Sequence, residues 1–254
     1  MPGFQSFRLW AACAAVFGLL PLSAVHAAPA SLNLCTDASV VEAARHNGKA
    51  INTSRILRDV GRNIGVKIVV EEIPWRRCMN EVAAGRRDGL FSISYSRQRA
   101  QMGAFPMLHG FPDPSRRMLS LHYHVYRLKG SQVDWNGRGF SRLAGPVGAP
   151  AGYSVVAELR RQGREVDDGA PGAEANFVKL LHGRVAAVVL QSHVADPVLR
   201  ENRLLADRIE RVGPPFATKA YYLMLGKSFV RDNPLLADRL WAAIAESRKA
   251  NSLD

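Results

Sequence analysis

The sequence predicts an α/β fold whose sheet is mainly parallel and carries helices on both faces. Three observations predict it. Between residues 31 and 96 strand-like and helix-like stretches alternate in the order β-α-β-α-β, and strands separated by helices are joined by crossovers and lie parallel. The helix-like stretches stop at glycines, Gly65, Gly85, Gly163 and Gly183, the residue that best tolerates a left-handed C-terminal turn. The same alternation then returns from residue 122 onward.

Taken in order, SLNLC (31–35) is a short buried strand that ends at Thr36 and Asp37. A helix near 51–64 puts Ile56, Leu57, Val60 and Ile64 on one face, the spacing of an amphipathic helix. VKIVVEEI (66–73) is the next strand, closed by Pro74, and a second helix runs from about Arg76 to Ala84. GLFSISYS (89–96) alternates with period two, placing Phe91, Ile93 and Tyr95 on one side and Ser92, Ser94 and Ser96 on the other. HYHVYRL (122–128) is a strand and the turn-rich KGSQVDWNGRG a connection. GPVGAP (145–150) leads to Gly152, Tyr153 and Ser154, with Ser154 as N-cap of a helix over 155–162. A helix near 173–182, the buried strand AAVVLQ (186–191) and the strand AYYLMLG (220–226) follow. The last helix starts around Asn233 and Pro234 and carries Leu236, Leu240, Trp241 and Ile244 on one face. Ligands of such sheets bind beyond the carboxyl ends of the strands.

The N-terminus reads as a secretory signal. Arg8 precedes an apolar run from Leu9 to Leu22, and Val25 and Ala27 are the small residues of a cleavage site. The run is shorter than the roughly 20 residues of a membrane span; an N-terminal anchor is the alternative. Residues 1–27 are therefore expected to be removed, leaving a soluble mature protein that starts near Ala28. The chain has 34 Lys and Arg against 22 Asp and Glu, a net charge of +12, and the signal removes only Arg8. A basic protein invites a nucleic-acid reading, but export and the scattering of the basic residues speak against it. An arginine-rich compositional bias explains the charge, as does a mild preference for anionic ligands. Cys35 and Cys78 remain in the mature chain, an even count that suggests a disulfide in an oxidising compartment, with two buried thiols as the alternative. Neither lies in a metal-binding pattern, so neither a metal nor a cofactor is expected.

PWRRC (74–78), AAGRRDGLFSISYSRQR (83–99), VYRLKGS (125–131), LLHGRVAAVV (180–189) and the late AYYLMLGKS occur in an order and spacing that resembles bacterial extracellular solute-binding proteins of family 3, the periplasmic partners of polar amino-acid ABC transporters. The resemblance implies a type II periplasmic-binding-protein fold. One lobe would comprise 28–121 with 223–254, and 122–222 would form the hinge strands and the other lobe. It implies a monomer that closes on a small solute and meets an inner-membrane permease. It places Arg99, in the run Ser96-Arg97-Gln98-Arg99, at the family's T-x-x-R arginine, whose planar fork suits a carboxylate. Ser92 and Ser94 match positions beside this arginine, and Asp37 follows the first strand as in the family. Gly152, Tyr153 and Ser154 open a helix whose free N–H groups suit an anion. Trp75 would wall the cleft, a core tryptophan being the alternative. Gln191 stands where amino-acid binders of the family usually carry an aspartate for the ligand's ammonium, which points to an amino acid or to a carboxylate lacking that group.

Two other classes share such a cleft. A ligand sensor that signals to a membrane receptor is one. A dehydratase-like enzyme is the other, and it would need a tuned acid or base, for which Glu71, Glu72 and His193 are the candidates. No paired carboxylates or nucleophile motif support catalysis.

Overall fold

The computed structural model describes residues 31–37 and 53–251, with Gly3. The expected signal sequence and its cleavage site, and residues 38–52, lie outside the described residues.

The first strand, β1 (Ser31–Thr36), pairs in parallel with β2 (Lys67–Glu72) and with β3 (Gly89–Ser94). The crossover to β2 includes α1 (Thr53–Ile64), where Ile56, Leu57 and Val60 are buried as their spacing predicts. The crossover to β3 is α2 (Trp75–Ala83). The two crossovers lie on opposite faces, since α1 and α2 feed different apolar clusters. Cys35 in β1 and Cys78 in the first turn of α2 form a disulfide with Cα atoms 5.8 Å apart.

After α3 (Arg97–Met102), the hairpin β4 (Met107–Leu108) and β5 (Phe111–Pro112), the chain enters β6 (Leu119–Leu128). A second hairpin, β7 (Asp134–Trp135) with β8 (Phe140–Ser141), sits inside the connection that reads as a plain turn-rich loop. The second parallel set is β9 (Val147–Pro150), β10 (Val166–Ala170) and β11 (Ala187–Gln191). Its helices are α4 (Ser154–Arg161), α5 (Ala173–Leu181), α6 (Ser192–Glu201) and α7 (Arg203–Ala206). The long β12 (Ile209–Leu225) then returns to the first set, followed by α8 (Lys227–Asp232) and α9 (Pro234–Ala250). On α9, Leu236, Leu240, Trp241 and Ile244 are buried, and the Trp241 indole donates to the Leu223 carbonyl at 2.9 Å.

The strand order β10-β9-β11-β6-β12-β3-β1-β2 makes one mixed sheet. Each outer set is parallel, while β6 and β12 run antiparallel to each other and carry the chain between the two lobes. Their register breaks between Val212 and Ala217, around Gly213, Pro214 and Pro215, because proline has no N–H to give a ladder. This is the two-lobed architecture of type II periplasmic-binding proteins.

Two local expectations change. Ser92 has a φ of 62°, and the pairing shifts so that Ile93 faces Tyr222 while Leu90 faces Met224. That is a bulge with one extra residue in β3. It sends Phe91 and Ile93 into different cores, so they do not share a face. Ser154 is the first residue of α4 and Tyr153 is its N-cap, which leaves the Ser154 hydroxyl for other partners.

Candidate functional site

A small cavity of about 10 Å³, room for about one water, lies between the two parallel sets, at the carboxyl ends of their strands. The first lobe contributes Trp75, Ser92 and Arg99, the second contributes Tyr153 and Gln191, and the crossing strands add Leu121, Tyr123 and Tyr221. Among the described residues Arg99 is the one charged side chain of this lining.

Arg99 is 7% exposed. Its Nη1 donates to the Ser94 carbonyl at 2.8 Å and to Ser94 Oγ at 2.7 Å, and its Nη2 reaches across to the Gly152 carbonyl at 3.2 Å. The guanidinium carbon lies 5.5 Å from the Trp75 ring centre. Among the described residues no carboxylate pairs with it. Burial pulls its pKa below the ordinary arginine value. A cation withdrawn from water without a counter-ion is costly, and an anion entering the cavity would recover that cost.

Local sequence explains how Arg99 is presented. Ser96 caps α3 by accepting from the Arg99 backbone N–H at 3.2 Å. The cap puts Arg99 in the first turn facing the cleft, while Arg97 at the helix start is exposed. Trp75 opens α2, and its backbone N–H donates to Asp37 Oδ2 at 3.1 Å. Asp37 thus holds the start of α2 and does not line the cavity. The Cys35–Cys78 bond fastens the same turn to β1.

The opposite wall comes from the turn before α4. Gly152 has a φ of 75°, and a Cβ there would lie 3.2 Å from Trp75 Cδ1, so glycine meets both a backbone and a space requirement. The Tyr153 and Trp75 rings sit 5.9 Å apart across the cleft. Ser154 Oγ is 2.9 Å from Ser94 Oγ and 3.3 Å from Lys219 Nζ. Lys219 in turn pairs with Glu158 at 2.7 Å.

At the base of the cavity Gln191 Nε2 contacts Tyr123 Oη at 3.1 Å and Tyr221 Oη at 2.6 Å, and the two phenols are 2.8 Å apart. Burial raises both phenol pKa values, keeping them protonated. Outside Arg99 the cleft widens into a mouth that carries Arg76, Arg97, Arg160, Arg161 and Lys219, with Asp168 bound to Arg160 at 2.9 Å. A separate groove between α1 and β2, lined by Leu57, Val66 and Ile68, contains none of the expected site residues.

Five of the expected residues, Trp75, Ser92, Arg99, Tyr153 and Gln191, line the cavity. Ser94, Gly152 and Ser154 touch Arg99 or one another around it. Leu121, Tyr123, Tyr221 and Lys219 were not expected. The signal for the tyrosines was their place on the two crossing strands, which read only as a hinge. The acid and base candidates Glu71, Glu72 and His193 lie outside the lining. Glu71 pairs with Arg87, and burial pushes the His193 ring down to about 4. Among the described residues no group of three or more His, Cys, Asp or Glu is placed to hold a metal ion.

No protein-family model and no curated protein sequence matches the chain. Solved structures do match. A histidine kinase sensor domain with similarity to periplasmic binding proteins shares 15% identity at a TM-score of 0.69, over 88% of this chain and 92% of that one. An ancestral arginine-binding protein bound to glutamine shares 17% at 0.65, over 88% and 94%. The GluR0 ligand-binding core from Nostoc punctiforme, in complex with L-glutamate, shares 17% at 0.62, over 87% and 94%. At these identities the likeness establishes the fold alone.

Proposed function

We propose that the chain is an exported solute-binding protein. Its lobes, 28–121 with 223–254 and 122–222, close over a small carboxylate-bearing solute, an amino acid or a related organic acid. The observation that carries this is Arg99, a buried guanidinium with open N–H donors, no carboxylate partner among the described residues, and contacts to both walls of a small cavity. The Ser94–Ser154, Arg99–Gly152 and Trp75–Tyr153 contacts cross the cleft, so closing and opening would make and break this set together. The basic mouth adds long-range attraction for an anion. The matched structures bound to glutamine and to glutamate support a carboxylate ligand by analogy of fold. The role we assign is delivery to an inner-membrane ABC permease.

The test is to purify the protein from the periplasmic fraction and identify the retained solute by mass spectrometry. Calorimetry of that solute on the wild type and on Arg99→Ala and Arg97→Ala follows. A carboxylic acid that needs Arg99 but not Arg97 is the expected result. A solute without a carboxylate, or binding indifferent to Arg99, would sink the proposal. The likeness to a sensor domain favours a second reading, in which the closed form signals to a membrane receptor. Deletion of the chain separates the two: loss of solute uptake supports transport, and an unchanged uptake with a lost transcriptional response supports sensing.

A further inference from the structure

Resting on that reading of the cavity, we infer that its solute is an acid without an ammonium group, of the 2-oxo acid class, and that the Gln191–Tyr123–Tyr221 cluster selects it.

The hydrogen atoms around Gln191 decide how the cluster is wired. Gln191 Nε2, Tyr123 Oη and Tyr221 Oη form a triangle with sides of 3.1, 2.6 and 2.8 Å. Three contacts need three hydrogens. With the amide nitrogen on the phenols, Gln191 supplies two and one phenol supplies the third, with a phenol proton to spare. With the amide oxygen there instead, the two phenols would have only two protons for three contacts. The first orientation is therefore the satisfied one.

The remaining proton can be followed outward. Tyr221 sits opposite Ser94 in the β3–β12 pairing, and Ser94 Oγ contacts Ser154 Oγ. Ser154 Oγ accepts from Lys219 and Ser94 Oγ accepts from Arg99. When Ser154 donates to Ser94, Ser94 towards Tyr221 and Tyr221 to Tyr123, the Ser94, Tyr221 and Tyr123 oxygens each accept twice, and Ser154 accepts once from Lys219. The last proton is then the Tyr123 O–H, and Tyr123 lines the cavity. This direction also points the hydroxyl protons away from the two cations at the serine end, which lowers the electrostatic energy.

The cavity thus offers donors. Arg99 has its Nε–H and one Nη2–H beyond the three bonds it makes within the protein. The buried Trp75 Nε1–H has no acceptor among the described residues. The Tyr123 O–H completes the set. Among the described residues no carboxylate lines the cavity. An α-amino acid would satisfy Arg99 with its carboxylate and then bury its ammonium beside phenols that present a proton, with no counter-charge. A 2-oxo acid presents a carboxylate and an adjacent carbonyl oxygen, all acceptors, and no donor on its reactive end. It matches Arg99 and Tyr123 at once.

The experiment is calorimetry on solute-stripped wild-type protein with matched pairs: pyruvate and alanine, 2-oxoglutarate and glutamate, phenylpyruvate and phenylalanine. At least one oxo acid is expected to bind tenfold or more tightly than its amino partner, and Tyr123→Phe is expected to narrow that ratio while leaving the fold intact by circular dichroism. Amino acids that bind as tightly as their oxo partners, in a manner that needs Arg99, overturn the inference and leave the solute-site reading standing. Binding by no member of the panel also overturns it. The solute-site reading is then judged separately, by whether the solute retained on the native protein carries a carboxylate.

Discussion

The two walls of the cleft are built from the same kind of parallel unit and do different things. The first wall is charged and cross-linked: Arg99 supplies the buried cation, and the Cys35–Cys78 bond fixes the helix that carries Trp75. Among the described residues the second wall lines the cavity with neutral groups only: Gln191 ends β11 and Tyr153 stands before α4, in a lobe held by a core around Phe177, Leu180 and Val188 and by the Lys179–Asp167 pair. The contrast teaches that inside the cavity the charge that meets an anion resides on one side, while the other side completes the hydrogen bonding when the walls meet. Four measurements break or sharpen this contrast.

The largest effect is expected from the cross-link. Replacing Cys35 and Cys78 by Ala opens a loop with a sequence separation of 43, and the chain-entropy model puts the loss of stability at about 4 kcal/mol. Urea unfolding of the double variant beside the wild type checks it. An unchanged midpoint would mean that the first wall does not depend on the bond.

Next, Arg99→Ala is expected to weaken binding of a carboxylate solute by about 3 kcal/mol, in line with truncations of buried charge pairs. Arg99→Lys should recover part, because lysine keeps the charge but not the fork. Calorimetry reads both. A full recovery by lysine would show that charge, and not bidentate geometry, is what the first wall provides.

The second lobe has a pH dependence of its own, carried by a buried imidazole. Burial lowers the His193 pKa from 6.5 to about 4. Above pH 6.5 the ring is neutral in both folded and unfolded chains and contributes nothing to the pH dependence. As pH falls from 6.5 towards 4 the unfolded chain takes up a proton that the folded chain refuses, so stability drops, by about 3 kcal/mol, and levels off below the folded pKa. Thermal melts of the wild type and His193→Gln across this window should diverge by that amount. Parallel curves would remove His193 from the account.

The smallest effect belongs to the mouth. Arg97 is two residues from Arg99 but exposed, and Arg97→Ala should change affinity by about 0.5 kcal/mol or less, vanishing at high salt. A loss as large as that of Arg99→Ala would mean that the anion sits in the mouth and not in the cavity.

The parts of this protein that were readable from sequence are those set by short-range patterning. β1, α1, α2 and α9 follow from apolar spacing and glycine stops, and Arg99 from its place just after a strand, the alternating serines before it and its match to the family's arginine. β10 was missed because VDDGA carries two acids and a glycine and has no apolar alternation. The first half of β12 was missed because Gly213, Pro214 and Pro215 interrupt it. The bulge at Ser92 was missed because strict alternation gives no hint of an extra residue, which is defined only by the partner strand.

The sequence by itself determined the α/β class, the crossover helices, the pair of cysteines and the cation at the end of β3, because each depends on neighbours within a few turns of chain. The tertiary structure alone brings Tyr123 and Tyr221, 98 residues apart, into a hydrogen-bonded triangle with Gln191, and sets Arg99 against the carbonyl of Gly152, 53 residues away. A hydrogen bond forms within about 3 Å and with directed geometry. The register of β6 against β12 and the approach of the two walls set that distance, and no local pattern of side chains encodes them.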